Sequence, residues 1–284
     1  MGVHQITMPV RGDGKGDAVF AHAAALAQRF KAHVQVVHCR PKAADMMPYG
    51  VVVPNFLRDQ LRDVTTRAAE AQEDDLRAKY RDLAAQLGLA EHAPETGRAT
   101  TEFVEYTGKQ MDAVKHHGRL ADLICVPKPD KGAGLGFNTL KSALFTSGRP
   151  VMMCPDQMQV TPDLGRHVAL GWNGSLEATR ALALGMPLLE SAAEITILTT
   201  GHEPHATTAE ELQSYLAIRG LSSAVRRFER QGSVGRGLLT EASGAGADLL
   251  LMGAYHVSYE KEAIFGGNTQ VVVDEATCPV VFVH

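Results

Sequence analysis

The chain lacks several features that would assign it to a particular class of protein. Its 284 residues contain no apolar run near the roughly 18 residues that a membrane-spanning helix needs. The 28 basic residues are dispersed against 32 acidic ones, which excludes a surface built for nucleic acid or an acidic membrane. Residues Met1–Ile6 lack the positive region and apolar run of a secretion signal. We therefore expect a cytoplasmic protein.

The sequence also has few cysteines and lacks recognisable catalytic motifs. The four cysteines stand far apart in predicted strands, without a Cys-x-x-Cys pair: Cys39, Cys125, Cys154 and Cys278. This spacing favours buried thiols in a reducing compartment over a metal or redox site. The sequence shows no nucleophile elbow, no paired catalytic carboxylates and no metal motif. It therefore points to binding more than to chemistry.

What the chain does contain is an internal duplication. In each half an Ala-Asp-Leu segment opens an apolar strand, a glycine-containing loop ends in Asn-Thr before a short helix, and a Pro-Val strand closes the unit. The matching segments are 121–126 with 247–252, 137–139 with 267–269, and 150–155 with 279–284. The starts of the halves match more loosely, each with a strand, a glycine-rich turn and an Ala-rich helix, at 17–30 and 175–190.

Each half alternates apolar strands with helices. Continuous apolar strands between helices predict a parallel sheet that is buried on both faces, with right-handed crossovers. We predict an α/β protein of two doubly wound, five-stranded, Rossmann-like domains in tandem, at 1–156 and 165–284. The breaks at Pro155, Pro162 and Gly165 separate them. The closing Pro-Val strands are the expected contact about a pseudo-twofold axis, since an apolar edge would otherwise stay unpaired.

The most specific motif lies in the second half. An apolar strand ends at Gly253, two residues precede His256, and nine more precede Gly266 and Gly267, which open a predicted helix at 268–276. The free amides at a helix N-terminus and the positive end of its dipole both favour an anion. Glycine lets a phosphate come close because no Cβ blocks it. The sequence therefore predicts a phosphate cradle at this loop.

The motif resembles the fingerprint of the universal stress protein family, a strand followed by Gly-x2-Gly-x9-Gly-(Ser/Thr) and a helix. Residues 171–181 are similar to the family's first strand, turn and helix, and 278–283 to its last strand. The resemblance covers 166–284 and, more faintly, 1–155. It implies a tandem universal stress protein of the bacterial two-domain type, with a Rossmann-like fold and a role in stress response.

The resemblance also implies an adenine-nucleotide site in the second half. Carried over by position, Asn173 meets the nucleoside end and His256 lies in the phosphate loop. The other residues that would line the phosphates are Gly253, Gly266, Gly267, Asn268 and Thr269. The implied ligand is ATP or AMP, with magnesium only alongside ATP. The implied role is regulatory, with at most slow ATP hydrolysis, because no general base is visible beside the phosphates.

Three departures from the family pattern keep other hypotheses open. His256 places an imidazole where the family has glycine; it either obstructs the phosphate or, when protonated, donates to it. Gly267 replaces a hydroxyl residue, and Asn173 replaces an aspartate acceptor. The departures at His256 and Gly267 favour a scaffold or interaction protein that binds no nucleotide. A third hypothesis is a related nucleotide-binding enzyme with His256 as acid or base.

The expected partners follow from these hypotheses. They are an adenine nucleotide and an unidentified protein, with no nucleic acid and no membrane. The two halves would form a pseudo-dimer within the chain, and a homodimer is compatible with the same pattern.

The first half departs further from the motif. Val126-Pro-Lys-Pro129 stands where a strand-ending glycine is expected, and proline has no N–H to offer a phosphate. The turn at 10–16 lacks the Gly-Lys-Ser/Thr of a Walker A loop. We expect a degenerate, largely structural copy. The alternative is a separate pocket that uses Arg11, Asp13 and Asn138.

Overall fold

The computed structural model describes residues 2–10, 14–40, 71, 73–132, 135–200, 207–230, 232–254 and 267–284. In these ranges the strands are β1 (Gln5–Val10), β2 (His33–Arg40), β3 (Ala90–Glu91), β4 (Thr100–Thr107), β5 (Leu123–Pro127), β6 (Val151–Cys154), β7 (His167–Gly171), β8 (Glu194–Thr199), β9 (Ala224–Arg227), β10 (Leu249–Gly253) and β11 (Val280–Val283). The helices are α1 (Gly16–Phe30), α2 (73–86), α3 (Gln110–Gly118), α4 (Phe137–Ser147), α5 (Leu176–Leu184), α6 (Met186–Ser191), α7 (Ala209–Ile218), α8 (Val234–Gly244) and α9 (Gly267–Glu275).

All of these strands form one sheet. Its order is β3-β4-β2-β1-β5-β6-β11-β10-β7-β8-β9. The second half contributes five parallel strands in the doubly wound order, with its first strand between its second and fourth. The first half has the same five-strand order, with the two-residue strand β3 added at the edge. The predicted doubly wound α/β class is confirmed.

The halves meet through their closing strands. β11 pairs with β6 in the antiparallel direction, with Val281 opposite Met152. The expected contact between the two Pro-Val strands is therefore present, and it joins the two parallel sets of strands into a continuous sheet. Lys128 adds to the joint by donating from Nζ to the Ala276 carbonyl at 2.7 Å.

Two apolar layers cover the faces of the sheet, and each layer runs across both halves. Along β11, Val281 and Val283 pack into the layer that contains α1 and α5. Val280 and Phe282 pack into the opposite layer, with α4 and α9. Alternate residues of the same strand are thus buried on both sides, which explains why the strands read as continuous apolar runs.

The predicted helix at 175–190 is wrong as a single element. The structure divides it into α5 and α6 at Gly185. A Cβ at Gly185 would lie 2.4 Å from Leu251 Cδ2 and 2.6 Å from the Ala181 carbonyl oxygen, so the chain turns where only glycine fits. Pro187 then opens α6, because a proline in the first turn loses no helical hydrogen bond.

The repeated Ala-Asp-Leu segments have a structural role. The Asp122 carboxylate accepts from the backbone N–H groups of His4 and of the next residue, at 2.7 and 3.0 Å. The Asp248 carboxylate accepts from the N–H groups of Gly165 and His167, at 2.7 and 3.3 Å. In each half the aspartate therefore fixes the entry of the first strand to the start of the fourth.

We expect the Asp248→Ala variant to lose about 2–3 kcal/mol of unfolding free energy, since it leaves two part-buried amides without an acceptor. Asp163→Ala is the matched control, because its carboxylate is 68% exposed and the expected loss is below about 0.5 kcal/mol. Urea unfolding of both variants checks this prediction. Equal losses in the two variants would contradict the structural role of Asp248.

Two buried histidines, His22 and His33, and the half-buried His117 predict that the fold is sensitive to acid. Burial is the largest cause that lowers the pKa of His22, His33 and His117 below the ordinary histidine value. For His33 the Glu102 carboxylate raises the pKa, by less than burial lowers it. As the pH falls, the unfolded chain therefore takes up these protons before the folded chain does.

We expect the free energy of unfolding to be retained above pH of about 6.5 and to decline as the pH falls below that value. Urea midpoints at about pH 7.5 and about pH 5.5 measure the decline, which His22→Gln is expected to reduce. The exposed His92 supplies the control substitution His92→Gln, which is expected to leave the decline unchanged. An identical decline in His22→Gln and the parent protein would argue against this cause.

No helix in the described part of the chain combines the length and the apolar character needed to cross a membrane.

Candidate functional site

A cleft opens at the carboxyl ends of the second-half strands. It has a volume of about 250 Å³ and lies between the ends of β7, β8 and β10 and the N-termini of α5, α8 and α9. This edge, beside the first strand of a doubly wound sheet, is where such folds hold ligands, because the crossovers on either side diverge there. The cleft is therefore the candidate functional site.

Five of the seven residues that the sequence suggested for a nucleotide site line this one cleft. They are Asn173, Gly253, Gly267, Asn268 and Thr269. The other two, His256 and Gly266, lie outside the described residues. The structure thus brings together residues that are almost 100 positions apart in the chain, because Asn173 follows β7 and the others follow or border β10, its neighbour in the sheet.

Gly253 is required by packing. It ends β10 against the first turn of α5, where a Cβ would lie 2.5 Å from the Glu177 carbonyl carbon and 2.6 Å from Ala178 N. These are backbone atoms, so no side-chain rotation relieves the clash. From the sequence motif, we explained this glycine by the close approach of a phosphate. The structure gives a second reason for it, which is the close contact between α5 and the end of β10.

Local hydrogen bonds shape the start of α5. Ser175 is its N-cap, with Oγ accepting from Ala178 N at 3.2 Å. Asn173 Oδ1 accepts from Ser175 N at 3.2 Å, which closes the turn between β7 and α5. The Asn173 side chain is exposed at the mouth, and its Oδ1 is committed to this turn. It therefore offers a ligand its amide donor.

The N-termini of α8 and α9 lie side by side at the other wall. Asn268 Oδ1 accepts from Ser233 Oγ at 3.3 Å and from Gly235 N at 3.4 Å. Gly235 allows this approach, since a Cβ there would lie 2.3 Å from the Asn268 carbonyl oxygen. Three helices therefore begin at one cleft, and the positive ends of their dipoles add to a field that favours a negative group.

The amides of the cleft that meet no acceptor among the described residues belong to α9. At the end of β10, the Ala254 N–H already donates to the Val283 carbonyl at 2.8 Å, and the Ala254 carbonyl oxygen lies 3.2 Å from His284 Nδ1. By contrast, no acceptor from the described residues meets the N–H groups of Gly267, Asn268 or Thr269. A Cβ at Gly267 would meet no atom of the described residues within 4 Å, so these residues leave the first turn of α9 open.

The inner part of the cleft is apolar. Its lining includes Trp172, Leu198, Phe228, Leu238 and Met252. The Trp172 indole N–H donates to the Thr207 carbonyl at 2.8 Å, so the ring acts as a wall and its donor is already used. Sequence reasoning missed most of this floor, because apolar residues at strand ends carry the same signal as any core residue.

The corresponding edge of the first half is occupied by the chain itself. Lys15 Nζ lies 3.0 Å from an Asp130 carboxylate oxygen and 3.9 Å from one of Asp156. A Cβ at Gly136, ahead of α4, would lie 3.1 Å from Pro129 Cα. Of the three residues suggested for a separate pocket, Asn138 is exposed in the first turn of α4, and Arg11 and Asp13 lie outside the described residues.

In the part of the chain that the structure describes, no three His, Cys, Asp or Glu side chains are grouped so as to hold a metal ion.

Comparisons with known proteins agree with this architecture. The model of the Universal stress protein family matches residues 190–284. A crystal structure of a universal stress protein from Archaeoglobus fulgidus matches with 13% identity and a TM-score of 0.69, over 98% of this chain and 97% of that chain. A protein of unknown function from Pseudomonas aeruginosa matches with 14% identity and a TM-score of 0.57, over 99% and 92%. No curated protein matches significantly. The structural matches establish the fold along the whole chain.

Proposed function

We propose that this protein is a universal stress protein whose second half binds an adenine nucleotide, ATP or AMP, as a regulatory module in stress response. The observation that carries the proposal is the convergence of three helix N-termini on one cleft with an apolar floor. The match to the family at 190–284 includes β10, α9 and most of this cleft.

The α9 end of the cleft fits a phosphate. The N–H groups of Gly267, Asn268 and Thr269 meet no described acceptor, and the positive end of the helix dipole points the same way. The described residues leave space around Gly267 through which phosphate oxygens would reach those amides. The nucleotide would therefore be held at its phosphates by backbone groups, which do not depend on the side chains that vary from the family pattern.

The inner end fits an adenine ring. A planar, weakly polar ring gains most by leaving water for a flat apolar surface, such as that formed by Trp172, Phe228 and Leu238. Asn173 at the mouth offers a donor to the sugar or base. The volume of about 250 Å³ is small, which favours AMP over ATP unless the triphosphate extends toward solvent.

We do not expect the cleft to catalyse fast hydrolysis of a bound nucleotide. The described lining contains no lysine or arginine to stabilise charge on a transferring phosphoryl group. Magnesium would come only with ATP, held through its phosphate oxygens. The protein would signal through occupancy of the cleft, which a partner protein reads as a change in the surface around its mouth.

Titration calorimetry of the full chain with AMP and with ATP tests the proposal. Trp172 provides a second readout, because it is the only tryptophan and it walls the cleft. We expect one equivalent of nucleotide per chain and a change in Trp172 emission on binding. No heat with either ligand at millimolar concentration, together with unchanged emission, would contradict nucleotide binding.

A scaffold or interaction protein is the second candidate, and one observation favours it. Glu177 lines the cleft beside Gly253, and its carboxylate opposes an anionic ligand. If titration shows no nucleotide, the cleft mouth remains as the surface for a protein partner, and affinity capture compared between the parent protein and a Glu177→Lys variant would test that role.

A further inference from the structure

A chain of polar side chains connects α3 to two strands of the first half. Gln35 of β2 donates from Nε2 to a Glu102 carboxylate oxygen of β4 at 2.8 Å. The Oε1 of the same amide lies 3.0 Å from Nδ1 of His117, in the last turn of α3. The Glu102 oxygen also lies 3.5 Å from Nε2 of the buried His33. A carboxylate, an amide and an imidazole therefore follow one another from the sheet to the helix.

The Glu102 carboxylate determines which nitrogen of His117 carries a hydrogen. An ionised carboxylate only accepts hydrogen bonds, so the Gln35 amide turns its NH2 group to Glu102 and its carbonyl oxygen to His117. A carbonyl oxygen also only accepts. His117 Nδ1 therefore carries the hydrogen, and in the neutral ring the nitrogen that can take up a proton is Nε2.

The surroundings of His117 oppose a charge on its ring. The His116 ring lies edge-on to it, with the ring centroids 4.8 Å apart, and the Tyr106 ring lies 5.9 Å from both. Burial is the largest cause that lowers the pKa of His117, and His116 lowers it further. The Glu102 carboxylate raises the pKa by less than these two causes lower it.

The other elements packed around α3 bring neutral groups to this end of the helix. A Cβ at Gly118 would lie 2.7 Å from Ile124 Cδ1 of β5 and 3.4 Å from Ser147 Cβ of α4. The side chains of Lys115 and Arg119, on either side of the two histidines, are exposed. Among the described residues, the charges that act on His117 are therefore those of His116 and Glu102.

The corresponding helix of the second half is held differently. In α8, Leu238 and Ala242 are buried in an apolar layer with Leu198 of β8, and the sequence of α8 contains no histidine. The buried residues of α3 are smaller: Ala113, Val114 and Gly118. Since small side chains bury less apolar area, the docking of α3 depends more on its polar contact with the sheet.

We propose that Glu102, Gln35 and His117 form a pH-sensitive contact: α3 stays docked while His117 is neutral and detaches locally when Nε2 takes up a proton. In the docked helix the charged ring would lie beside His116 with restricted access to water, whereas in the detached helix both rings are solvated. Docking is therefore retained above pH of about 6.5, the ordinary histidine value, and is lost as the pH falls below it. This contact does not involve the nucleotide cleft.

Amide hydrogen exchange of the full chain, corrected for the intrinsic rate at each pH, tests the proposal. We expect the protection of the α3 amides to fall at least about threefold between about pH 7.5 and about pH 5.5. The α8 amides are the internal control, and their protection should fall less, because α8 carries no histidine. An equal fall in α3 and α8 would overturn the proposal.

His117→Gln assigns the effect to this side chain. Glutamine keeps a donor for Gln35 Oε1 and does not titrate, so the protection of α3 is expected to be equal at the two pH values. His92→Gln, at an exposed position, is the matched control and should behave as the parent protein does. If α3 lost the same protection in His117→Gln as in the parent protein, the proposal would be wrong.

The nitrogen chemical shifts of the imidazole rings give a second readout on the parent protein, which decides the assignment if His117→Gln fails to dock α3. We expect neutral His117 to carry its hydrogen on Nδ1. Glu102→Gln introduces an amide that can also donate, so Gln35 can turn over and a mixture of tautomers is expected. Glu105→Gln, exposed on the opposite face of β4, should leave the tautomer unchanged. A hydrogen on Nε2 of neutral His117 in the parent protein would overturn the assignment.

Discussion

Replacing Gly253 with alanine is expected to lower the free energy of unfolding by about 2–3 kcal/mol and to weaken adenine-nucleotide binding at least about tenfold. The added methyl group would lie 2.5–2.6 Å from backbone atoms of Glu177 and Ala178, so α5 must move away from the end of β10. That movement displaces the Ser175 cap and Asn173 at the mouth of the cleft. Urea unfolding and calorimetry with AMP measure the two effects.

Gly267→Ala is the matched control for this prediction. It adds the same methyl group to another glycine of the cleft, where no atom of the described part of the chain lies within 4 Å. Because alanine favours a helix over glycine by up to about 1 kcal/mol, the stability of this variant should be equal to or above that of the parent protein. Similar losses in both variants would show that the contact of Gly253 with α5 is not the cause.

Replacing Asn268 with aspartate is expected to weaken nucleotide binding by about 10- to 100-fold while leaving the fold as stable or more stable. The new carboxylate has the shape of the amide and still accepts from Ser233 and Gly235. Its charge favours the N-terminus of α9 but repels a phosphate at the same amides. Thermal unfolding would measure the unchanged or raised stability of this variant, and calorimetry would measure its lowered affinity for the nucleotide.

The duplication supplies the control for this second prediction. Asn138 holds the same place in the first turn of α4 that Asn268 holds in α9, and both side chains are exposed. Asn138→Asp therefore makes the same change of charge in the other half, and nucleotide affinity should stay unchanged. If Asn138→Asp weakened binding and Asn268→Asp did not, the nucleotide would have to be assigned to the first half.

Much of the architecture could be predicted because the same pattern of strands and helices is repeated in the two halves of the sequence. The apolar runs after Asp122 and Asp248 predicted buried parallel strands, and the closing Pro-Val strands predicted the joint. The division of 175–190 was not predicted, because it depends on a contact between Gly185 and Leu251, on an element that lies far away in sequence. Such a contact leaves no periodic signal near the glycine.

The site was predictable where it depends on glycine and on helix starts. Gly253, Gly267 and Asn268 reach the cleft through local strand-to-helix geometry, which the spacing of the motif already contained. Phe228 and Leu238 reach it only through the order of strands in the sheet. The hydrogen bond from the Ala254 N–H to the carbonyl of Val283 in β11 could not be predicted either, because it depends on how the last strand pairs in the sheet.

The antiparallel pairing of β6 with β11 has a consequence for signalling. The strands of the first half finish at one end of the sheet and those of the second half finish at the other. A small molecule in the cleft is therefore separated from the equivalent edge of the other half by more than the length of a strand, about 15 Å, because several strands also lie between the two edges in the sheet. The halves cannot grip one ligand between their equivalent loops, so titration should follow a single hyperbola, without the cooperativity of two facing subsites.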